Sequence, residues 1–399
     1  MKKIGAIVLF AVFFVFTLQA ETFRFTYRED EKYRILSQVE EDVYLNDVYS
    51  HTAHILNKIA IHVTETRGRS GKIEAEFITS ERSSGHGEVY EWSEEYESVF
   101  WRDELGRYDI DDSYYMPVVR NVPRFPVEDI AVGDSWAADG WEVHDFRKNF
   151  NLPEPFSFPI QVFYTYRGEV TKDGKTYDRF EIEYTVFHRV GKKYPELGLY
   201  PVRLSGSSKQ ELLWDRKRGR PYSYDENFNF IFTLSSGATV EYIGTANATV
   251  IQSEELNRDK VAEGIKEELE KKGVEDTDVR SDEEGVTISL ENIQFLPDSA
   301  VLRDSEKKKI VEIADILKKY RDRDLLITGH TALAGTERGR QLLSEERAKA
   351  VADYLLRLGV ASEKQIIVRG FGARKPVADN STEEGMRRNR RVEITILEN

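Results

Sequence analysis

LLITGHTALAGTERGRQLLSEERAKAVADYLLRLGV, residues 325–360, changes period part-way along. Leu325-Leu326-Ile327 is a short apolar run of the kind that forms a buried strand. Beyond Gly329, apolar residues return at Ala348, Val351, Leu355 and Leu358, three and four apart, the spacing of one face of a helix. The same alternation continues on both sides. Val286-Ile288-Leu290 reads as a strand and Ile310-Ile313-Leu317 as a helix, and Ile366-Val368 and Val392-Ile394-Ile396 read as further strands. Strands and helices alternating at these lengths predict an α/β sandwich over residues 285–399, with helices on one face of a sheet.

Upstream the chemistry changes. Residues 251–284 are rich in Glu, Lys, Asp and Arg, and Val261, Ile265 and Leu269 predict a short amphipathic helix ending at Gly273. The segment reads as a charged helical linker, with a loop over the acidic stretch Asp276 to Glu284. Residues 21–250 alternate with period two, as in Phe180, Ile182, Tyr184 and Val186 set between Glu181, Glu183 and Thr185, and this predicts half-buried antiparallel strands. Asp173-Gly174 suits a two-residue hairpin turn, Ser235-Ser236-Gly237 marks a second hairpin, and the Gly68 to Gly71 loop a third. Prolines at 117, 123, 126, 153, 155 and 159 divide this part into two β-rich subdomains, 21–120 and 121–250, built as antiparallel sandwiches or curved sheets. A membrane β-barrel is the competing architecture, although the alternating runs are shorter than the roughly ten residues such a strand needs.

The first twenty residues carry Lys2 and Lys3, an uncharged apolar run from Ile4 to Leu18, and Gln19-Ala20 before Glu21, the pattern of a secretory signal peptide. The chain of 399 residues has 57 Lys+Arg against 71 Asp+Glu, a net charge of −14 that argues against nucleic acid as a partner. By region the charge is uneven: from Gly285 onward 21 basic and 18 acidic residues give +3, which leaves −17 for everything before. Absence of cysteine excludes disulfides, thiolate metal sites, cysteine nucleophiles and a lipoprotein anchor.

No complete catalytic constellation is present. His51 and His54 stand three apart but lack an HExxH frame. Glu91, Glu94, Glu95 and Glu97 read as a solvated strand edge rather than an acid/base pair. Trp92, Trp101, Trp136 and Trp141 are core candidates more than a sugar groove. The expectation is a non-enzymatic protein without cofactor or metal.

Asn292-Ile293-Gln294-Phe295 with Asp298-Ser299-Ala300-Val301-Leu302, then Gly329-His330-Thr331, Leu343-Ser344-Glu345-Glu346-Arg347-Ala348, Gly370-Phe371-Gly372, Lys375 to Asn380, and Asn389-Arg390-Arg391-Val392-Glu393-Ile394 stand in one order. In order and spacing they resemble the OmpA-like C-terminal (peptidoglycan-associated) domain family, over residues 285–397 only. That resemblance implies a periplasmic domain that grips the peptidoglycan stem peptide, with diaminopimelate held as a zwitterion. An Asp after Gly-His-Thr takes its ammonium, and the Arg of the Leu-Ser-x-x-Arg-Ala helix takes its carboxylate.

Carried onto this chain, the Arg is Arg347, but the Asp position is Ala332. Arg340 stands where the family usually has Asn, and Met386 where it usually has Arg. The candidate ligand set is Arg347, Thr331, Arg340, Asn389, Arg390 and Arg391. Loss of one hydrogen bond to a charged group weakens binding about ten- to a hundredfold. Arg340, Arg347, Arg390 and Arg388 together favour a carboxylate-rich ligand or an acidic surface. Against these stand plainer roles: turns for Gly329, Gly370 and Gly372, anchoring of the last strand for Asn389 and Arg391, and loop shaping for His330. The expected protein is an exported envelope component of the periplasm whose wall recognition is weakened or altered, with envelope proteins as the other expected partners. The alternative is a working tether between the wall and the outer membrane or its partners, with membrane association through an N-terminal barrel.

Overall fold

A computed structural model describes residues 20–83, 90–191, 194, 196–251, 256–282, 284–295 and 300–397. The signal-peptide pattern, Asp298-Ser299 of the quoted motif and Glu254 of the expected linker lie outside these.

The N-terminal strands are β1 (Lys32–Leu45), β2 (Val48–Arg67), β3 (Ser70–Ser83), β4 (Tyr90–Arg102), β5 (Tyr108–Ile110), β6 (Val119–Arg120) and β7 (Ser135–His144). After the short helix α1 (Arg147–Phe150) come β8 (Phe156–Lys172), β9 (Lys175–Arg189), β10 (Pro201–Asp215), β11 (Arg220–Leu234) and β12 (Thr239–Ile251). Each expected hairpin forms. Asp173 and Gly174 both take positive φ, 51° and 72°, as a primed turn requires, and Lys172 faces Lys175 across it. Asn46-Asp47, also at positive φ, makes a hairpin between β1 and β2 that the sequence reading passed over.

The proline-rich stretch near residue 120 does not separate two sheets. β1 pairs antiparallel with β12 from Arg34 opposite Ile251 to Leu45 opposite Val240, so all twelve strands form one ladder, β5-β4-β3-β2-β1-β12-β11-β10-β9-β8-β7-β6. Local punctuation cannot reveal that pairing, which joins residues some two hundred positions apart. Two apolar clusters line the ladder. Phe23, Phe125, Phe180 and Trp214 belong to the larger, on the β7 to β12 side, and Tyr33, Ile61, Ile73 and Phe100 to the smaller, on the β1 to β4 side. Along β8 the buried positions are Phe156, Phe158, Ile160, Val162, Tyr164 and Tyr166, while Ser157, Gln161 and Arg167 are exposed. The outward positions are mixed, with Phe163 on β8, Phe187 on β9 and Trp141 on β7 exposed beside these polar residues.

The C-terminal part holds α2 (Arg258–Lys271), β13 (Thr277–Ser281), β14 (Gly285–Glu291), α3 (Asp304–Leu317), β15 (Leu325–Gly329), α4 (Glu337–Arg357), β16 (Ile366–Gly370), α5 (Glu383–Asn389) and β17 (Arg391–Leu397). Its strand order is β13-β14-β17-β15-β16, with β15 and β16 parallel and the other pairs antiparallel. Helices α2, α3 and α4 cover one face through Ile265, Ile313, Val351 and Leu355. The segment expected to be a linker is part of this unit: Ala262, Ile265, Leu269 and Val279 sit in its core, and the acidic stretch read as a loop contains β13. Ion-rich composition concealed a helix with one narrow apolar stripe.

Sheet and domain meet at an edge. β4 runs parallel to β16 at two positions, Tyr90 opposite Ile367 and Glu91 opposite Val368. Arg34 and Lys58 both reach Asp324, at 2.8 and 3.0 Å.

Candidate functional site

The site is assembled where β15 and β16 end beneath α4. A Cβ on Gly329 would lie 1.9 Å from the Ser344 carbonyl oxygen, and one on Gly370 2.5 Å from Glu345 Cγ. These two glycines therefore serve close helix–strand approach rather than the turns expected of them; only Gly372, at φ 53°, is a turn glycine. Helix α4 starts because Thr336 caps it, its Oγ1 accepting from the Gly339 amide at 3.1 Å. Ser344 Oγ accepts from the Gly372 amide at 2.9 Å and locks that turn against the helix.

The loop from His330 to Gly335 is held from three sides. The His330 amide donates to the Arg391 carbonyl at 3.0 Å and the Thr331 amide to the Gly372 carbonyl at 2.8 Å. The Leu333 amide donates to Asn380 Oδ1 at 3.0 Å. Asn380 is fixed in turn by Asn389, whose side chain donates to Asn380 Oδ1 and to the Ala378 carbonyl and accepts from the Val377 and Ala378 amides, at 2.8 to 3.0 Å.

Beneath the loop lies a buried charge cluster. Glu393 receives both Arg280 nitrogens, at 3.0 and 2.8 Å, and Arg391 Nε at 2.7 Å. His330 Nε2 stands 3.6 Å from the same carboxylate, and its ring stacks on Phe371 at 5.4 Å. Burial pushes the Glu393 carboxyl up, but the contacts with His330, Arg280 and Arg391 outweigh it and hold the group well below the usual carboxylate range. Burial also lowers the His330 pKa against the Glu393 contact, which favours a neutral, loop-shaping imidazole.

Arg347 differs. Half-buried on α4, it lies over the Phe295 ring at 4.9 Å, and its Nε is buried with no acceptor. Its pKa is lowered by burial and then by the charge of Arg390. Among the described residues no carboxylate pairs with either. Arg340, seven residues before Arg347 and so on the same face, gives one nitrogen to the Gly335 carbonyl at 2.5 Å and leaves its Nε without an acceptor.

The candidate set therefore divides. Arg347 and Arg340 share a face of α4 two turns apart, and the charge of Arg390 acts on Arg347. Asn389 is fully buried and spends its amide on the loop, and Arg391 is buried between Glu393 and the Lys375 carbonyl, so both hold the architecture and neither is presented to a ligand. Thr331 and Ala332 are buried at the loop's start, and Arg388 is drawn away to Glu291. Phe295 under Arg347, Asn380 in the loop clamp and Arg280 under Glu393 were missed as contributors. The first two lay in the quoted motif, whereas Arg280 was hidden in the supposed linker.

The other candidates disperse. His51 and His54 lie on β2, where a separation of three points them to opposite faces. Trp92 packs under Arg369 and Trp101 under Arg67, Trp136 donates to the Arg124 carbonyl at 2.7 Å, and Trp141 is exposed. Glu91, Glu94 and Glu95 meet Lys349, Lys148 and Arg369.

Residues 294–390 match the model of the OmpA family. Residues 294–390 form an OmpA-family domain. The domain is similar to outer membrane porin F of Pseudomonas aeruginosa, 35% identical over 113 residues that cover 28% of this chain and 32% of that protein. It is 41% identical over 104 residues to the peptidoglycan-binding protein ArfA of Mycobacterium tuberculosis, covering 26% of this chain and 32% of ArfA. The similarity thus spans about a third of the length of these curated relatives. Among solved structures, the cell wall anchor of the T6SS from Pseudomonas aeruginosa is 30% identical, covering 36% of this chain and all of that one, with a TM-score of 0.31. Within the OmpA-family domain of this chain the carboxylate expected after Gly-His-Thr is absent, and buried Ala332 fills its place.

Proposed function

We propose that this is an exported, non-enzymatic protein of the cell envelope, acting in the periplasm, whose OmpA-family domain keeps its fold while its recognition of peptidoglycan is weakened or altered. Support for an envelope role comes from the relatives named above, a porin, a peptidoglycan-binding protein and a cell wall anchor. The observation that carries the altered recognition is Ala332, buried in a loop still held by the His330, Thr331 and Leu333 amides although the ammonium-binding carboxylate is missing. A zwitterionic ligand would meet Arg347 and Arg390 with no counterpart for its positive end. The N-terminal sheet is the part that meets other envelope proteins.

Pelleting of the full chain with isolated wall sacculi, native against Arg347→Ala, tests this reading. Weak pelleting that changes less than about threefold on substitution agrees with it. Tight pelleting that Arg347→Ala abolishes would favour the wall-tether alternative.

A further inference from the structure

Resting on that reading, we infer that the Arg347 site is selective for a small ligand that presents two carboxylates and no neighbouring ammonium, a dicarboxylate rather than an amino acid. A half-buried guanidinium without an acceptor is tolerated most readily where an anion completes it. Arg347 is such a group: its Nε is buried without an acceptor, its guanidinium lies over the Phe295 ring, and the charge of Arg390 also acts on it.

Three carboxylates on neighbouring segments are engaged elsewhere. Glu291 receives Arg388, Glu345 accepts from Gln341 at 2.5 Å, and Asp379 accepts from the amide and hydroxyl of Ser381 at 2.8 and 2.6 Å. None of them turns to Arg347 or Arg390. Phe295 forms an apolar floor beneath the Arg347 guanidinium, which shields it from water on one side and strengthens its attraction for an anion on the other.

Arg340 extends the same face. Seven residues on a helix advance about 10 Å, so Arg340 and Arg347 are spaced to receive the two ends of a short dicarboxylate. Arg340 keeps a buried Nε without an acceptor, and Thr331 Oγ1, on a residue 6% exposed, is also without a partner. With Ala332 beside Thr331 there is no carboxylate there to pair an ammonium, while Arg340 adds a charge that repels one. The half-buried setting suits a small end-group better than a broad acidic surface.

The test is isothermal titration of the full chain with pimelate and with meso-diaminopimelate, which share one carbon skeleton and differ in two ammonium groups. The expected result is pimelate bound at least tenfold more tightly by the native chain, falling at least tenfold in Arg347→Gln and reversing in preference in Ala332→Asp. If Ala332→Asp does not fold, the loss in Arg347→Gln and a steep weakening with added salt carry the decision. Binding of neither compound at millimolar concentration overturns the dicarboxylate assignment and leaves weakened wall recognition standing. Diaminopimelate bound by the native chain as tightly as by Ala332→Asp overturns both. Binding of a poly-glutamate peptide without pimelate overturns the small-ligand assignment in favour of an acidic protein.

Discussion

Two groups of cationic side chains, one at the edge where sheet and domain meet and one on the loop side of the OmpA-family domain, are treated in opposite ways. Along the edge that meets the N-terminal sheet, every cation named has a carboxylate: Arg369 with Glu95, Lys349 with Glu91, Arg82 with Glu363, and Arg34 and Lys58 together on Asp324. On the loop side Arg340, Arg347 and Arg390 have none among the described residues. The first group is completed within the chain and behaves as a joint. The second would be completed from outside, by the anion inferred above.

Removing the shared carboxylate should have the largest effect. Asp324→Ala strands Lys58, 5% exposed, and Arg34 in the joint, and breaking a buried pair in this way costs about 3–5 kcal/mol. Urea denaturation should show the loss, and a change below about 1 kcal/mol would mean that the joint is solvated. Next comes Gly329→Ala, whose Cβ would meet the Ser344 carbonyl at 1.9 Å and push α4 off the sheet. About 3 kcal/mol is expected, with the midpoint lowered in the same titration, whereas an unchanged midpoint would contradict the close approach.

Glu41 sharpens the account of the sheet. Burial, aided by the Glu81 charge, raises its pKa to about 7. A carboxyl raised above its unfolded value of about 4.3 stabilises the fold while protonated, and that contribution is lost as pH rises from about 4.3 through 7. Glu41→Gln should therefore stabilise the protein by about 1–3 kcal/mol at pH 8 and by little at pH 4. Equal effects at both pH values would place Glu41 in water. The smallest effect is expected of Arg369→Ala, which removes an exposed pair with Glu95 and the cation lying 4.4 Å from the Trp92 ring centroid. About 1 kcal/mol is expected, with a change in Trp92 fluorescence that a remote surface arginine would not produce.

How far the sequence could be read follows the same division. The α/β sandwich was legible because each strand and helix announces itself by local period, as Leu325 to Leu358 does. Asn389 and Arg391 were legible as family positions, with ligand binding and strand anchoring both open, and only tertiary structure shows one amide spending its bonds on the 377–380 loop and one guanidinium enclosed by Glu393 and Lys375. Arg280 was invisible, because a charged segment with a narrow apolar stripe reads as linker until it packs. The single twelve-strand ladder was equally hidden, for β1 and β12 pair across two hundred residues with no local signal. The acidic run on β4 was read as a solvated edge that discourages pairing, yet Glu91 and Glu95 pair with Lys349 and Arg369 across the joint.

The most direct measurement of the central claim is co-sedimentation of the full chain with peptidoglycan sacculi before and after Ala332→Asp. Restoring one charged hydrogen bond should tighten binding about ten- to a hundredfold over the native chain. Native protein that pellets as tightly as the Ala332→Asp variant would contradict the claim that the missing carboxylate sets what this domain recognises.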